Sequence, residues 1–242
     1  MTKMKADGRI RGAAQTPAAK IRRRILASQN KFWHSSKLPG PESTIQHLLT
    51  QLDRDGELTH VRKGLYWRGT KTPLGMSPPP NDSLTNTIVK TANGIGPAGL
   101  SAANLLKLST QVPRYSMIAV PHRAPTSLGS VTFVSRASRT DRRTARLTSH
   151  EVALLEALEG WDRIIEIPMD EAWIKMSKLL ISKDLDAMRL ARAARTEPGS
   201  VRVRLSALLN ASGYKEEAKQ IPTADRRTVA AARVSDFLNP QK

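Results

Sequence analysis

The sequence predicts an α+β fold that is mostly helical, made of a small basic N-terminal module, a short α/β middle region and a C-terminal helical bundle. Three observations predict it. Apolar residues recur at helical spacing over most of the chain, two short apolar runs near residues 116–120 and 130–134 read as strands, and three consecutive prolines at 78–80 interrupt both patterns. The resulting division is residues 1–17 as a flexible basic N-terminus, 18–73 as a helix-and-hairpin module and 74–83 as a proline-rich linker. Residues 84–242 follow as a second domain, with an α/β part over 84–136 and a helical part over 137–242.

Charge narrows the partner. The 242 residues carry 39 Lys and Arg against 21 Asp and Glu, a formal net charge of +18, which favours a polyanion. Residues 1–73 hold 15 basic and 5 acidic side chains, a net of +10, whereas residues 137–242 hold 19 and 15, a net of +4. A single basic run is usually a solvated helix face, but concentration of the excess in one small module points to a polyphosphate footprint. The absence of cysteine excludes disulfides, thiolate metal sites and a cysteine nucleophile, and fits a reducing compartment. No apolar run approaches the roughly 18 residues that span a bilayer, and the N-terminal "MTKMKADGRIRGAAQTP" lacks the apolar core of a secretory signal. A soluble cytoplasmic protein with no membrane partner is the expectation.

The N-terminal elements follow in order. "PAAKIRRRILASQNK" sets Ile21, Ile25 and Leu26 on one side of a helix with Lys20, Arg22, Arg23 and Arg24 around them. "FWHSSKLPG" reads as a short extended piece and a turn, with Phe32 and Trp33 as core. "ESTIQHLLTQLDRDGEL" carries Ile45, Leu48, Leu49 and Leu52 at i, i+3, i+4 and i+7, with Ser43 or Thr44 placed to cap its start and Gly56 to end it. Its exposed side is then Ser43, Thr44, Gln46, His47, Thr50 and Gln51, donors and acceptors of the kind that read base edges in a major groove. His47 reads equally as a solvated helix residue.

"LTHVRKGLYWRG" completes the module as a two-stranded wing turning at Gly64. A wing beside a recognition helix lies over the sugar-phosphate backbone, where Arg62 and Lys63 at its tip meet phosphate while Val61, Leu65 and Tyr66 pack inward. Aromatic side chains mostly bury area, so Tyr66 and Trp67 read first as packing and only second as base-stacking platforms. The pattern is that of a winged helix-turn-helix.

With those residues in view, "LLTQLDRDGELTHVRKGLYWRG" and "GLSAANLLKLSTQVP" resemble the AbiEi-type antitoxins, the transcriptional regulators of AbiE toxin–antitoxin systems, over roughly residues 20–135. The resemblance implies a sequence-specific reader of double-stranded operator DNA that represses its own operon. It also implies functional antagonism of a nucleotidyltransferase-like toxin, in type IV fashion, without need of a stable complex. An interaction protein that binds a toxin or RNA through its C-terminal helices is the alternative from another class.

The middle region predicts a helix over 84–92, a Gly-Pro turn, a small-residue helix over 101–108 and the two strands. "NGIGPAG" lacks the Lys-Ser/Thr of a phosphate-binding loop, so Gly94, Gly96 and Gly99 read as a structural turn. Ala98, Ala102 and Ala103 suit close packing, and Asn104 and Gln111 are expected to satisfy buried backbone. Further on, Thr148 and Glu151 have capping-box spacing ahead of Val152, Leu155 and Leu158 on one face, Pro168, Pro198 and Gly199 break the helices, and Asp225 caps the last. Arg189, Arg192, Arg195, Arg202 and Arg204 read either as a second polyanion surface or as a solvated face paired with Glu197, Asp184 and Asp186.

Nothing predicts an enzyme, a metal or a cofactor. His34, His47, His60, His122 and His150 lie far apart without ligand spacing, and Glu171 with Lys175 reads as an ordinary i,i+4 ion pair rather than a nuclease set with Asp162 or Asp170. Gly129 and Ser130 lack the following carboxylates a nucleotidyltransferase needs.

Overall fold

A computed structural model describes residues 16–89 and 92–234. The expected flexible segment 1–17 therefore falls outside the described residues except at Thr16 and Pro17, as does the end of the last expected helix from residue 235. The fold is α+β and mostly helical. It divides into two compact units, residues 1–80 and 81–242.

In the first unit, α1 (Pro17–Leu26) starts where the Thr16 hydroxyl accepts from the Ala19 amide, with Pro17 at the first helical position. Strand β1 (Lys31–His34) and one 3-10 turn (Ser35–Lys37) lead to α2 (Glu42–Arg54). Strands β2 (Thr59–Arg62) and β3 (Leu65–Arg68) form a hairpin, and β1 adds to it in antiparallel fashion to give the order β1-β3-β2. Ile21 and Ile25 of α1, Trp33 of β1, Leu38, the α2 stripe Ile45, Leu48, Leu49 and Leu52, and Leu58 and Tyr66 close one core.

Two expectations need correction here. Neither Ser43 nor Thr44 caps α2: the helix starts at Glu42, behind Pro41 in extended backbone, so both lie inside the first turn, where a side chain cannot act as the cap. The segment expected as linker is also structured at its start. Lys71–Thr72 (β4) and Gly75–Met76 (β5) pair as a second small hairpin, and the Ser77 carbonyl accepts from the Trp67 indole at 2.8 Å, so the first unit runs on to Pro80.

The second unit begins with α3 (Asn81–Val89), earlier than expected, and β6 (Gly96–Pro97). Helix α4 (Gly99–Leu105) precedes β7 (Ser116–Val120) and β8 (Val131–Ser135). Strand β7 pairs antiparallel with β6 and in parallel with β8. The expected Gly-Pro turn is thus a strand, which Pro97 tolerates because β6 is an edge. A Cβ on Gly96 would come within 2.7 Å of the Ser149 carbonyl and Val152, so glycine there serves close approach to a helix, not phosphate binding. Asn104 and Gln111 are both exposed, and so do not satisfy buried backbone as expected.

The remaining helices are α5 (Asp141–Thr144), α6 (Ser149–Glu159), α7 (Trp161–Ile164), α8 (Met169–Ile181), α9 (Ala187–Ala193), α10 (Gly199–Ala211), α11 (Lys215–Lys219) and α12 (Arg226–Ala231). Helix α6 carries the expected capping box of Thr148 and Glu151, but it is not amphipathic: every residue from Glu151 to Leu158 is buried, between β6, α4 and α10. Burial of its two carboxylates demands partners. Glu151 accepts from Arg189 at 2.7 Å and from the Asp186 amide at 2.9 Å. Glu156 accepts from Arg142 at 2.7 Å and from both nitrogens of an Arg136 fork at 2.7 and 2.8 Å. Arg142, fully buried, also grips Glu197 through two bonds of 2.6 and 2.8 Å.

The expected arginine face does not exist as one surface. Arg204 is buried and donates to the Leu158 carbonyl at 2.7 Å, closing the C-terminal end of α6, while Arg189 is held by Glu151. Glu197 is taken by Arg142 and is unavailable to a surface pair. Asp225 caps α12 and Glu171 pairs with Lys175 at 3.0 Å, both as the spacing suggests.

Burial alone would raise the Glu156 carboxyl, but the hydrogen bonds and charges of Arg136 and Arg142 outweigh it and hold it below its ordinary 4.5. Its share of stability is therefore present above that ordinary value and is lost as pH falls through the depressed folded value. Arg142→Ala removes the fully buried cation between Glu156 and Glu197, leaving Glu156 to Arg136 and Glu197 to a longer 3.5 Å contact with Arg139. It is expected to cost about 3–5 kcal/mol, against no more than about 0.5 kcal/mol for Glu171→Ala. Urea midpoints of the full chain check this, and equal midpoints for the two variants would refute it.

Candidate nucleic-acid interface

The buried stripe of α2 dictates what its other side presents. With Ile45, Leu48, Leu49 and Leu52 inward, Ser43, Thr44, Gln46, His47 and Gln51 are exposed and Thr50 is half-buried. Ser43, Gln46, His47, Thr50 and Gln51 line one open groove, with Glu42 and Asp55 at its two ends and Arg54 beside Asp55. Thr44 is exposed but does not line that groove. A groove with amides and hydroxyls at its centre and carboxylates at its ends suits hydrogen bonding to base edges better than clamping of phosphate.

The basic residues of α1 are not equivalent. Lys20 and Arg23 are exposed. Arg22 reaches Asp55 at 3.6 Å, an exposed pair that leaves it accessible. The Arg24 guanidinium lies 5.7 Å from the centre of the Trp33 ring, and the Lys31 ammonium lies 4.8 Å from the same ring. Trp33 is buried, so that ring anchors both cations at the edge of the core.

The hairpin tip is fixed from below. Gly64 takes a φ of +73°, and its carbonyl accepts from the Ser35 amide at 2.9 Å. The strand register slips between His60 and Arg62, which brings Arg62 opposite Leu65. Val61, Leu65, Tyr66 and Trp67 are all buried, Trp67 against Phe32 with ring centres 4.6 Å apart. Both aromatic residues are therefore packing, and the tip presents Lys63 with Arg62 half-exposed beside it.

Two residues that periodicity did not single out join this tip. His34 pairs in register with Leu65 across β1 and β3, and Lys37 sits on the turn that follows. His34 is held below its ordinary 6.5 by burial first, then by the positive charges of Lys37 and Arg62. Spacing could not reveal this grouping, because it depends on β1 joining the hairpin; the one available signal was a lysine three residues after a histidine in "FWHSSKL".

Among the described residues, no group of three or more His, Asp or Glu side chains is placed to hold a metal ion, and no helix is long and apolar enough to cross a membrane. No family model matches the chain, and no curated protein matches it. Among solved structures, the crystal structure of the RV2827C protein from Mycobacterium tuberculosis aligns with a TM-score of 0.43 at 18% identity, over 87% of this chain and 83% of that one. That likeness is too distant to carry an assignment.

Gly64→Ala tests the tip. A Cβ there would lie 2.9 Å from the Ser35 hydroxyl, on a backbone conformation that costs an L-residue about 1–2 kcal/mol. A loss of that size in the unfolding free energy of the full chain is expected, and an unchanged melting curve would show that the turn is not constrained as described.

Proposed function

We propose that residues 18–73 act as a winged helix-turn-helix and that the protein is a sequence-specific regulator of double-stranded DNA rather than an enzyme. The observation that carries this reading is a juxtaposition within the first unit. A helix face of amides and hydroxyls, Gln46, His47, Thr50 and Gln51, belongs to the same small core as a hairpin tip bearing Arg62 and Lys63 and a helix bearing Lys20, Arg22, Arg23 and Arg24. Helix α2 enters the major groove, Ser43, Thr44, Gln46, His47, Thr50 and Gln51 face base edges, and the cations hold phosphates on either side. The net +10 of residues 1–73 supports it.

By resemblance to the AbiEi-type antitoxins in "LTHVRKGLYWRG" and "GLSAANLLKLSTQVP", the operator belongs to the protein's own toxin–antitoxin operon. The same resemblance supports antagonism of a nucleotidyltransferase-like toxin without a stable complex.

An anisotropy titration against duplex from upstream of the gene, with scrambled duplex and RNA as competitors at two salt concentrations, tests the proposal. Arg62→Ala with Lys63→Ala is expected to weaken specific and scrambled binding alike and to lower the salt slope by about 2. Gln46→Ala with Gln51→Ala is expected to leave the slope alone and to cost about 1–3 kcal/mol of discrimination for each base that a glutamine reads in bidentate fashion. Equal binding to operator, scrambled duplex and RNA would overturn the sequence-specific reading.

A further inference from the structure

The row His34–Leu65–Arg62 crosses all three strands of the first sheet. Residues directly opposite one another across antiparallel strands point to the same face, so the imidazole and the guanidinium stand on one side of the sheet with buried Leu65 between them. At a strand spacing of about 4.8 Å, their backbones are about 10 Å apart. The bond from the Ser35 amide to the Gly64 carbonyl then draws the Ser35–Lys37 turn against the hairpin tip, adding exposed Lys37 and Lys63 to the same corner. The charged groups that act on His34 are Lys37 from the turn and Arg62 from β2, and β3 contributes only Leu65 opposite it.

Burial first, and then the two like charges of Lys37 and Arg62, disfavour protonation of the half-buried imidazole, whereas a phosphate in the same corner offsets those two charges. We infer that this corner seats a phosphate of the bound duplex, held by Lys37, Lys63 and Arg62, and that His34 takes up a proton as the duplex binds. The inference rests on the duplex-binding reading above and adds to it a proton-linked affinity. Held below its ordinary value in the free protein, His34 is neutral at pH 7 and becomes charged at that pH only to the extent that the phosphate offsets its neighbours. By reciprocity, affinity rises as pH falls between the free-state and bound-state midpoints, by at most about tenfold per pH unit for one proton.

The test uses the full chain and an operator duplex between pH 5.5 and 8, with the imidazole resonances followed by NMR and affinity by anisotropy. The His34 midpoint is expected to rise by about one unit on duplex binding. In His34→Gln the pH dependence of affinity should flatten. Lys37→Ala, an exposed change that does not threaten the core, should raise the free-state His34 midpoint, weaken binding and reduce the salt slope by about 1. A His34 midpoint unmoved at full duplex occupancy would overturn the proton coupling and leave the DNA-binding reading standing. An absence of duplex binding across the whole pH range would overturn both.

Discussion

A helix buried on all sides can hold carboxylates only if each meets a cation, and α6 is built on that constraint. Glu151 and Glu156 lie within a run of eight buried residues, and without Arg189, Arg136 and Arg142 their burial would be prohibitive. The matching arginines come from the segment before α6 and from α9, and Glu197, which completes the Arg142 site, stands just before α10. Satisfying one helix thus fixes the placement of α5, α9 and the start of α10 around it. Arg204 finishes the arrangement by donating to a free carbonyl at the C-terminal end of α6.

The first unit obeys a different constraint. Its core is a contact between two helices and one face of a three-stranded sheet, and what it presents outward is decided by strand register. Because β1 pairs with β3 from Lys31↔Arg68 to His34↔Leu65, the turn after β1 falls beneath the hairpin tip. The tip is therefore braced on a backbone hydrogen bond and on buried Leu65, Tyr66 and Trp67, while its cations remain at the surface. A fixed mount for charged side chains lowers the ordering cost of any contact made through them.

Most of the helices were legible because amphipathic period and cap chemistry are local. The α2 stripe, the Thr148–Glu151 capping box, the Asp225 cap and the Glu171–Lys175 pair all involve residues within seven positions of one another. Misreadings arose where a partner distant in sequence decided the outcome. Pro97 became a strand residue because β7 offered an edge, and Gly96 is glycine because α6 passes over it. The arginines of residues 189–204 looked like a surface, yet Arg189 and Arg204 answer buried groups 38 and 46 residues away.

The sequence by itself determined the mostly helical α+β class, the basic bias of the first 73 residues and the polar outward face of α2, since composition and a 3.6-residue period suffice for each. It also indicated that Tyr66 and Trp67 pack rather than stack on a ligand, from the area such rings bury. Only the tertiary structure decided that His34 and Lys37 join Arg62 and Lys63, that α6 is buried all round, and that Arg142 lies at zero exposure between two carboxylates. Each of these depends on strand register or on ion pairing between separate segments. Such choices are made by long-range geometry and by the cost of leaving a buried charge unmatched, and neither is written in any short stretch of chain.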